Sequence, residues 1–348
     1  MGKKKSLEKL KKLEKKKKLK KLGNKKKFEK EKKWKEKAKL KKYVLGIDVG
    51  GTTCKLGIFE VEGKLVDKWE IPTDTTEHGS KILENVADSI FEKLRDKSIE
   101  IAEVLGVGIG IPGTVKKGGI VERNANLGWE NVNVEEELSA KMHLPVRAGN
   151  DANVAALGEM WQGGAKGFDN ILMVTLGTGV GGAVIVDGKM LSGSHGAGGE
   201  IGHMTVNKSE TLQCGCGQYG CLEQYTSATG IVRMANRKSY GGQANKEEKL
   251  TAKAVLDAAK AGEESAVEVV EEVCEILGQA LSNVACVSDP DIILIGGGVS
   301  KAGDYLVDCI RKHYKANAFF ACENVKFALA ELGNDAGIYG GAYMALDK

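Results

Sequence analysis

The sequence predicts an α/β protein made of two related domains that face each other. Three observations carry this. First, residues 43–49 form an apolar strand, Gly50-Gly51-Thr52-Thr53 turn it, 55–61 return, and Gly63-Lys64 turn the chain again into a strand over 65–71. Second, the same order recurs. An apolar strand at 171–176 is followed by the Gly177–Gly182 turn, a return strand at 183–186, and Gly188-Lys189, 125 residues after the first Gly-Lys turn. Third, residues 43–348 are long enough for two domains.

The other elements follow in order. Residues 105–111 read as a buried strand ending in the Pro112-Gly113 turn. The stretch from Val146 runs as a strand end into a helix, with Asn150 and Asp151 at the junction. Asp151 is read as a helix N-cap or as a functional carboxylate, and both readings stand at this level. Asn150 adds an amide that donates and accepts. Residues 230–249 are polar and read as a surface loop or helix end. Apolar spacing predicts scaffold helices over 253–259 and 266–284. A strand at 291–295 leads into Gly296-Gly297-Gly298 and a helix over 301–316. The three glycines serve a tight strand-to-helix turn or the close approach of a flat ring such as adenine.

Two glycine turns of one design can point backbone N–H groups at a polyphosphate from both sides, although each alone is explained by hairpin geometry. Gly177, Gly179 and Gly182 match G-x-G-x-x-G, but a strand follows where a dinucleotide site needs a helix. There is no G-x-x-x-x-G-K-[ST] sequence, which excludes a P-loop.

Residues 199–223 carry the most specific pattern. His203, Cys214, Cys216 and Cys221 supply one imidazole and three thiols within nineteen residues, a ligand set that suits a closed tetrahedral Zn²⁺. Glycines separate the cysteines, a poor way to fill a core with reduced thiols. Glu200 and Glu223 flank the ligands without being needed as ligands, as on a rigid platform for a polar molecule. Cys54, Cys274, Cys286, Cys309 and Cys322 lie among apolar residues and read as small core side chains. With no secretory signal ahead of them, a reducing cytoplasm is expected.

Charge is unevenly spread. Residues 1–42 hold 23 Lys and 5 Glu, a formal +18, whereas the chain total is +4, so the remainder is acidic at −14. The segment is expected to be disordered or helical, with too few apolar residues for a core. It is read as a non-specific polyanion-binding tail or as an extension without a role. It lacks the apolar length of a membrane span, and its pattern supports no recognition helix for specific nucleic acid.

Together, Asp48-Val-Gly-Gly-Thr-Thr, Gly110-Ile-Pro-Gly, Asn150-Asp-Ala-Asn, Leu176-Gly-Thr-Gly-Val-Gly-Gly, Gly199-Glu-Ile-Gly-His, Cys214-Gly-Cys-Gly-Gln-Tyr-Gly-Cys-Leu-Glu, Gly296-Gly-Gly-Val-Ser and Leu332-Gly-Asn-Asp-Ala-Gly resemble the ROK family of sugar kinases and repressors, most closely its bacterial glucokinases. The resemblance spans 43–348. It implies an actin-like (ribonuclease H-like) duplicated two-domain ATPase fold with a cleft between domains. The expected division is 43–150, completed by a terminal helix at 335–348, and 151–334 with the zinc loop 203–221. ATP and Mg²⁺ are implied as cosubstrate and cofactor, Zn²⁺ as a structural ion, and glucose or a related hexose as acceptor, in a homo-oligomer (dimer or tetramer). Asp151 is implied as the base that takes the proton of the sugar 6-hydroxyl. Asn150, Glu200, His203 and Glu223 are implied as sugar contacts, so His203 would serve both zinc and sugar. Asp48, Gly50, Gly51, Thr52, Thr53 and Lys55 are implied at one phosphate site and Gly177, Thr178 and Gly179 at the other. Gly296, Gly297 and Gly298 are implied near adenosine. Kinases for fructose, N-acetylmannosamine or N-acetylglucosamine are the nearest alternatives. A repressor would need an N-terminal helix-turn-helix that residues 1–42 do not provide.

Overall fold

The computed structural model describes residues 41–238 and 250–346. The tail expectation for 1–40, and the part of the polar loop at 239–249, lie outside the described residues. Lys41 and Lys42 are joined to the body: Lys42 N donates to Glu103 O at 2.8 Å and Val61 N to Lys42 O at 3.0 Å.

The first half runs β1 (Tyr43–Val49), β2 (Thr53–Glu60), β3 (Leu65–Pro72), α1 (Ile82–Asp96), β4 (Val104–Ile111), the hairpin β5 (Ile120–Asn124) and β6 (Trp129–Asn133), α2 (Val134–Met142) and β7 (Val146–Asn150). These strands, apart from the separate hairpin, form a sheet of order β3-β2-β1-β4-β7. The β1–β2 and β2–β3 pairs are antiparallel, while β4 and β7 join parallel to β1. After α3 (Asp151–Gln162), the second half runs β8 (Ile171–Leu176), β9 (Val180–Val186), β10 (Lys189–Met190), α4 (Glu223–Thr226), α5 (Ala228–Arg237), α6 (Ala252–Lys260), α7 (Glu264–Ser288), β11 (Ile292–Gly296), α8 (Asp304–Asn317), β12 (Lys326–Leu329) and α9 (Ala336–Met344). Its sheet, β10-β9-β8-β11-β12, repeats the first in order and in strand sense. The duplicated, actin-like arrangement is therefore present.

Both sheets are covered on two faces, which is why β1, β4 and β11 read as unbroken apolar runs. On the first sheet, α1 and α2 close one core with Leu45, Ile47, Ile109 and Leu138. The other face packs Val44 and Phe59 against Ile338 and Ala342 of α9. That helix touches its neighbours backbone to backbone. A Cβ on Gly46 would overlap the Ile338 carbonyl, one on Gly108 the Gly341 carbonyl, and one on Gly340 the Val154 carbonyl. Thus α9 is pressed between the first sheet and α3. In turn α3 lays Val154, Ala156, Leu157 and Met160 on Ile171, Met173, Ala183 and Leu294 of the second sheet.

A fully buried carboxylate fixes this junction. Glu159 of α3 accepts from Gly164 N at 2.9 Å, Glu331 N at 3.0 Å and Leu332 N at 2.8 Å. Three amide donors replace the water it loses.

Several boundaries differ from expectation. The helix expected over 301–316 is a 3₁₀ turn, Gly298–Ala302, followed by α8, because Gly303 at φ 72° breaks the helical path. Of the two readings for 230–249, the helix end holds for 230–237, which continue α5 because Ile231, Met234 and Ala235 bury one face. The terminal helix spans Ala336–Met344, and residues 347–348 lie outside the described residues.

Candidate active site

Asp48, Gly110 and Asn150 lie at the carboxyl ends of the parallel strands β1, β4 and β7, and Asp48 pairs with Gly110 in register. Ligands in open α/β sheets gather at such strand ends. Asn150 caps α3, its Oδ1 accepting from Asn153 N at 3.1 Å, while its Nδ2 donates to Gly113 O at 3.0 Å. The cap role thus falls to Asn150, and Asp151 occupies the first helical turn. Its Oδ1 accepts from Ala152 N at 2.8 Å. Burial raises the Asp151 carboxyl above the usual range, against the pull of the amides of Ala152 and its own residue.

Asp48 is perturbed more strongly. Burial pushes its carboxyl up to about 6, Lys55 opposes this, and the charge of Asp151 adds to it. Gly337 of α9 supplies much of that cover: a Cβ there would come 2.5 Å from Asp48 Cγ. The Lys55 ammonium donates to Asn334 O at 3.0 Å, tying β2 to the turn before α9.

The β1–β2 turn is closed by Gly50 N donating to Thr53 O at 2.9 Å, and Thr73 Oγ1 donates to Gly50 O at 2.7 Å. Gly51 and Thr52 are exposed, with open space where a Gly51 side chain would stand. In the β8–β9 turn, Gly177 N donates to Gly179 O at 3.0 Å. Ala228 N donates to Gly177 O at 2.8 Å and Thr229 Oγ1 to Thr178 O at 2.9 Å, so the start of α5 holds this turn. A Cβ on Gly179 would lie 2.7 Å from Glu223 Oε2. The second glycine turn therefore touches the carboxylate beside the cysteine cluster.

Gly177 and Thr178 also line a cavity of about 470 Å³ with Ala228, Thr251, Lys253, Asp257, Gly298 and Lys301. Of the three consecutive glycines, Gly298 lines this cavity. Gly296 is buried in β11, and Gly297, at φ 85°, makes room for the Leu176 backbone. The helix α6, expected as scaffold, packs Val255, Leu256 and Ala259 into the core and also presents Lys253 and Asp257 to this cavity. Their i, i+4 ion pair is ordinary surface chemistry in sequence, so spacing alone did not mark them.

The cysteine cluster assembles as expected. Ligand atoms of His203, Cys214, Cys216 and Cys221 lie within 4.8 Å of one another. Cys216 Sγ is 3.6 Å from Cys221 Sγ, and Cys214 Sγ is 3.8 Å from His203 Nδ1. Tetrahedral zinc with its usual bond lengths needs sulfur–sulfur and sulfur–nitrogen separations of about 3.8 and about 3.5 Å. The donor set fits the ion. Burial pushes the Cys214 thiol up to about 12, and the thiol donates to Glu223 Oε1 at 2.9 Å. Glu223 Oε1 is also 3.7 Å from His203 Nδ1.

The loop carrying Glu200 is anchored beside Asp151. Asn153, two residues past Asp151 in the first turn of α3 and buried, donates from Nδ2 to Gly198 O at 3.2 Å. Gly196 packs on the Val115 backbone in the turn after β4. Asn153 was passed over in sequence because an Asn inside a helix reads as an ordinary polar position. Its value is positional: it joins the 196–203 loop to the helix start.

Comparison with known proteins places the chain in a family. Residues 44–348 match the model of the ROK family. A glucokinase from Halalkalibacterium halodurans is 41% identical over 315 residues, covering 87% of this chain and 94% of that protein. Among solved structures, a ROK hexokinase from Thermus thermophilus superposes with a TM-score of 0.74 at 29% identity, over 87% of this chain and 98% of that one. A ROK family glucokinase from Streptomyces griseus, in complex with glucose and AMPPNP, has a TM-score of 0.67 at 30% identity, over 88% and 100%.

Proposed function

The chain belongs to the ROK family and is a sugar kinase of the hexokinase type, and within that class we propose that it transfers the terminal phosphoryl group of ATP to the 6-hydroxyl of glucose. The observation that carries the reading is Asp151. It stands on the first turn of α3, freed from capping by Asn150, with a carboxyl raised by burial beside the strand ends where Asp48 sits. A carboxylate tuned toward working pH is suited to accept a proton from an attacking hydroxyl.

In this reading Asn150, Glu200, His203 and Glu223 orient the sugar, and Asp151 takes the proton from its 6-oxygen. That oxygen attacks the terminal phosphorus in line, the bond to the bridging oxygen breaks, and ADP departs. The amides of Gly51 and Thr52, with the Lys55 ammonium, hold phosphate oxygens from one lobe, and Asp48 would hold the Mg²⁺ that accompanies them. Gly177–Gly179 hold phosphate oxygens from the other, and the nucleoside lies in the cavity at Gly298 and α6. Mg²⁺, when bound, supplies charge neutralisation for the phosphates. His203, Cys214, Cys216 and Cys221 would hold Zn²⁺ with four protein ligands, and the ion would shape the loop. His203 Nδ1 faces the thiols, which leaves its Nε2 for a sugar hydroxyl.

We assign the lobes to 43–150 with α9 and to 151–334. Their closure keeps water, the competing acceptor, from the phosphorus. A coupled spectrophotometric assay of glucose, fructose, N-acetylmannosamine and N-acetylglucosamine with ATP and Mg²⁺ tests the substrate. Glucose should give the highest kcat/KM; a tenfold preference for another of these sugars overturns the assignment. The same assay with polyphosphate in place of ATP tests the donor.

A further inference from the structure

Helices α7 and α8 hold a second set of metal-binding side chains, apart from the cysteine loop. Gly278 of α7 lets α8 come close: a Cβ there would lie 2.6 Å from Tyr314 N and 2.8 Å from His313 Cβ. This crossing sets one helix against the other. Cys309 and His313 stand four residues apart on one face of α8, the spacing at which helical side chains meet. Glu271 faces them from α7, with Oε2 2.7 Å from His313 Nε2. The carboxylate oxygen, the sulfur and the ring nitrogen all lie within 4.8 Å of one another. Cys274, three residues past Glu271 and fully buried, sets its thiol beside Cys309.

We propose that Glu271, Cys309 and His313 form a second divalent-cation site, a three-ligand Zn²⁺ site that clamps α7 to α8. Thiolate, imidazole and carboxylate together suit zinc rather than Mg²⁺ or Ca²⁺, which prefer oxygen alone. Tetrahedral ligands stand about 3.2–3.8 Å apart, so the three groups need to move by about an ångström. The fourth position falls to water. Glu271 is 40% exposed, which gives the ion a way in, and His313 is 17% exposed. The Cys274 thiol can donate a hydrogen bond to the metal-bound sulfur from behind. Lys312 is the competitor: its ammonium sits 2.9 and 3.1 Å from the two Glu271 oxygens. The inference depends neither on the sugar phosphorylated nor on zinc at the cysteine loop.

The test uses the full chain under reducing conditions. Wild type, His313→Ala, Cys309→Ser and Lys312→Ala are equilibrated with Zn²⁺, desalted, and read by elemental analysis per chain. Co²⁺ titration follows the sulfur-to-metal absorption band. His313→Ala and Cys309→Ser should each lose one equivalent relative to wild type, whatever the cysteine loop retains. Lys312→Ala should bind Co²⁺ several-fold more tightly. If Cys309→Ser fails to fold, the partly exposed His313→Ala decides alone. Equal metal content in wild type and His313→Ala overturns the site and leaves Glu271, Lys312 and His313 as an ion-pair network.

Discussion

Replacing Asp48 with Asn should make the protein more stable at neutral pH and less active. Asp48 is the penultimate residue of β1, and the backbone of Gly337 lies over its carboxyl. Burial lifts it from 3.8 to about 6, with Lys55 opposing and Asp151 adding. A rise of about two units corresponds to ~3 kcal/mol of stability lost once the group is ionised in both states. That stability is fully present below the unfolded value of 3.8 and is lost as pH rises through about 6. Asn has nearly the same shape and no charge, so the loss is absent in the variant. At pH 7.5 the variant should gain about 1–3 kcal/mol, the lower end allowing for the amide left in the same cover. At pH 4.5 about a third of that gain should remain. Thermal melts of both proteins at the two pH values, at matched ionic strength and without ligands, read the difference. Each kcal/mol moves the midpoint by ~2 °C in a chain of this size. Turnover should fall by ~10²-fold or more if Asp48 holds the Mg²⁺ that accompanies the phosphates. A variant that melts lower at pH 7.5, or a gap of equal size at both pH values, would refute the reasoning.

Asp151→Asn can keep the Ala152 contact and the Asn150 cap, so sugar affinity should stay within about tenfold while kcat drops ~10²–10⁴-fold; turnover within a few-fold of wild type would remove it as base. Cys216→Ser should lower bound zinc and raise the sugar KM, and a wild-type protein purified without zinc would count against the structural ion. Glu159→Ala strips three amides of their acceptor and should cost ~3 kcal/mol or more in urea unfolding; a loss below ~1 kcal/mol would mean that those amides find water. Deleting residues 1–40, which leaves Lys41 and Lys42 on Val104 and Glu103, should keep kcat and KM within about twofold at low and high salt, and lost activity at both would place the tail in the working fold.

The parts of the architecture legible in sequence were those written as local pattern. Each glycine turn between apolar strands is a few residues long, so the repeated hairpins could be read and their duplication recognised. The cysteine loop was legible for the same reason, its histidine and three cysteines falling within nineteen residues. Asp151 could not be resolved from its neighbours, because Asn150 and Asp151 are both good caps and only the backbone angles separate them. The role of α6 was hidden because its cavity face consists of an ordinary Lys–Asp spacing, and the other wall comes from Gly298 more than forty residues later. The β5–β6 hairpin and α2 carry few apolar positions, and their burial against the sheet is tertiary. Gly303 illustrates a smaller limit: the apolar spacing after it is helical, but the break depends on its positive φ.

The glycine seam of α9 bears on the order in which the chain can fold. The first sheet has all its strands by residue 150, yet one of its faces stays open until 336–344 arrive. Between them lies the whole second sheet. Closing that long loop carries an entropic cost that no local contact offsets beforehand. A chain emerging from the ribosome would hold Val44 and Phe59 against solvent, or against a chaperone, while the second half is being made. Because the seam consists of backbone against backbone at Gly46, Gly108 and Gly340, no partly fitting helix can hold the place. The half that is synthesised first is therefore the half completed last.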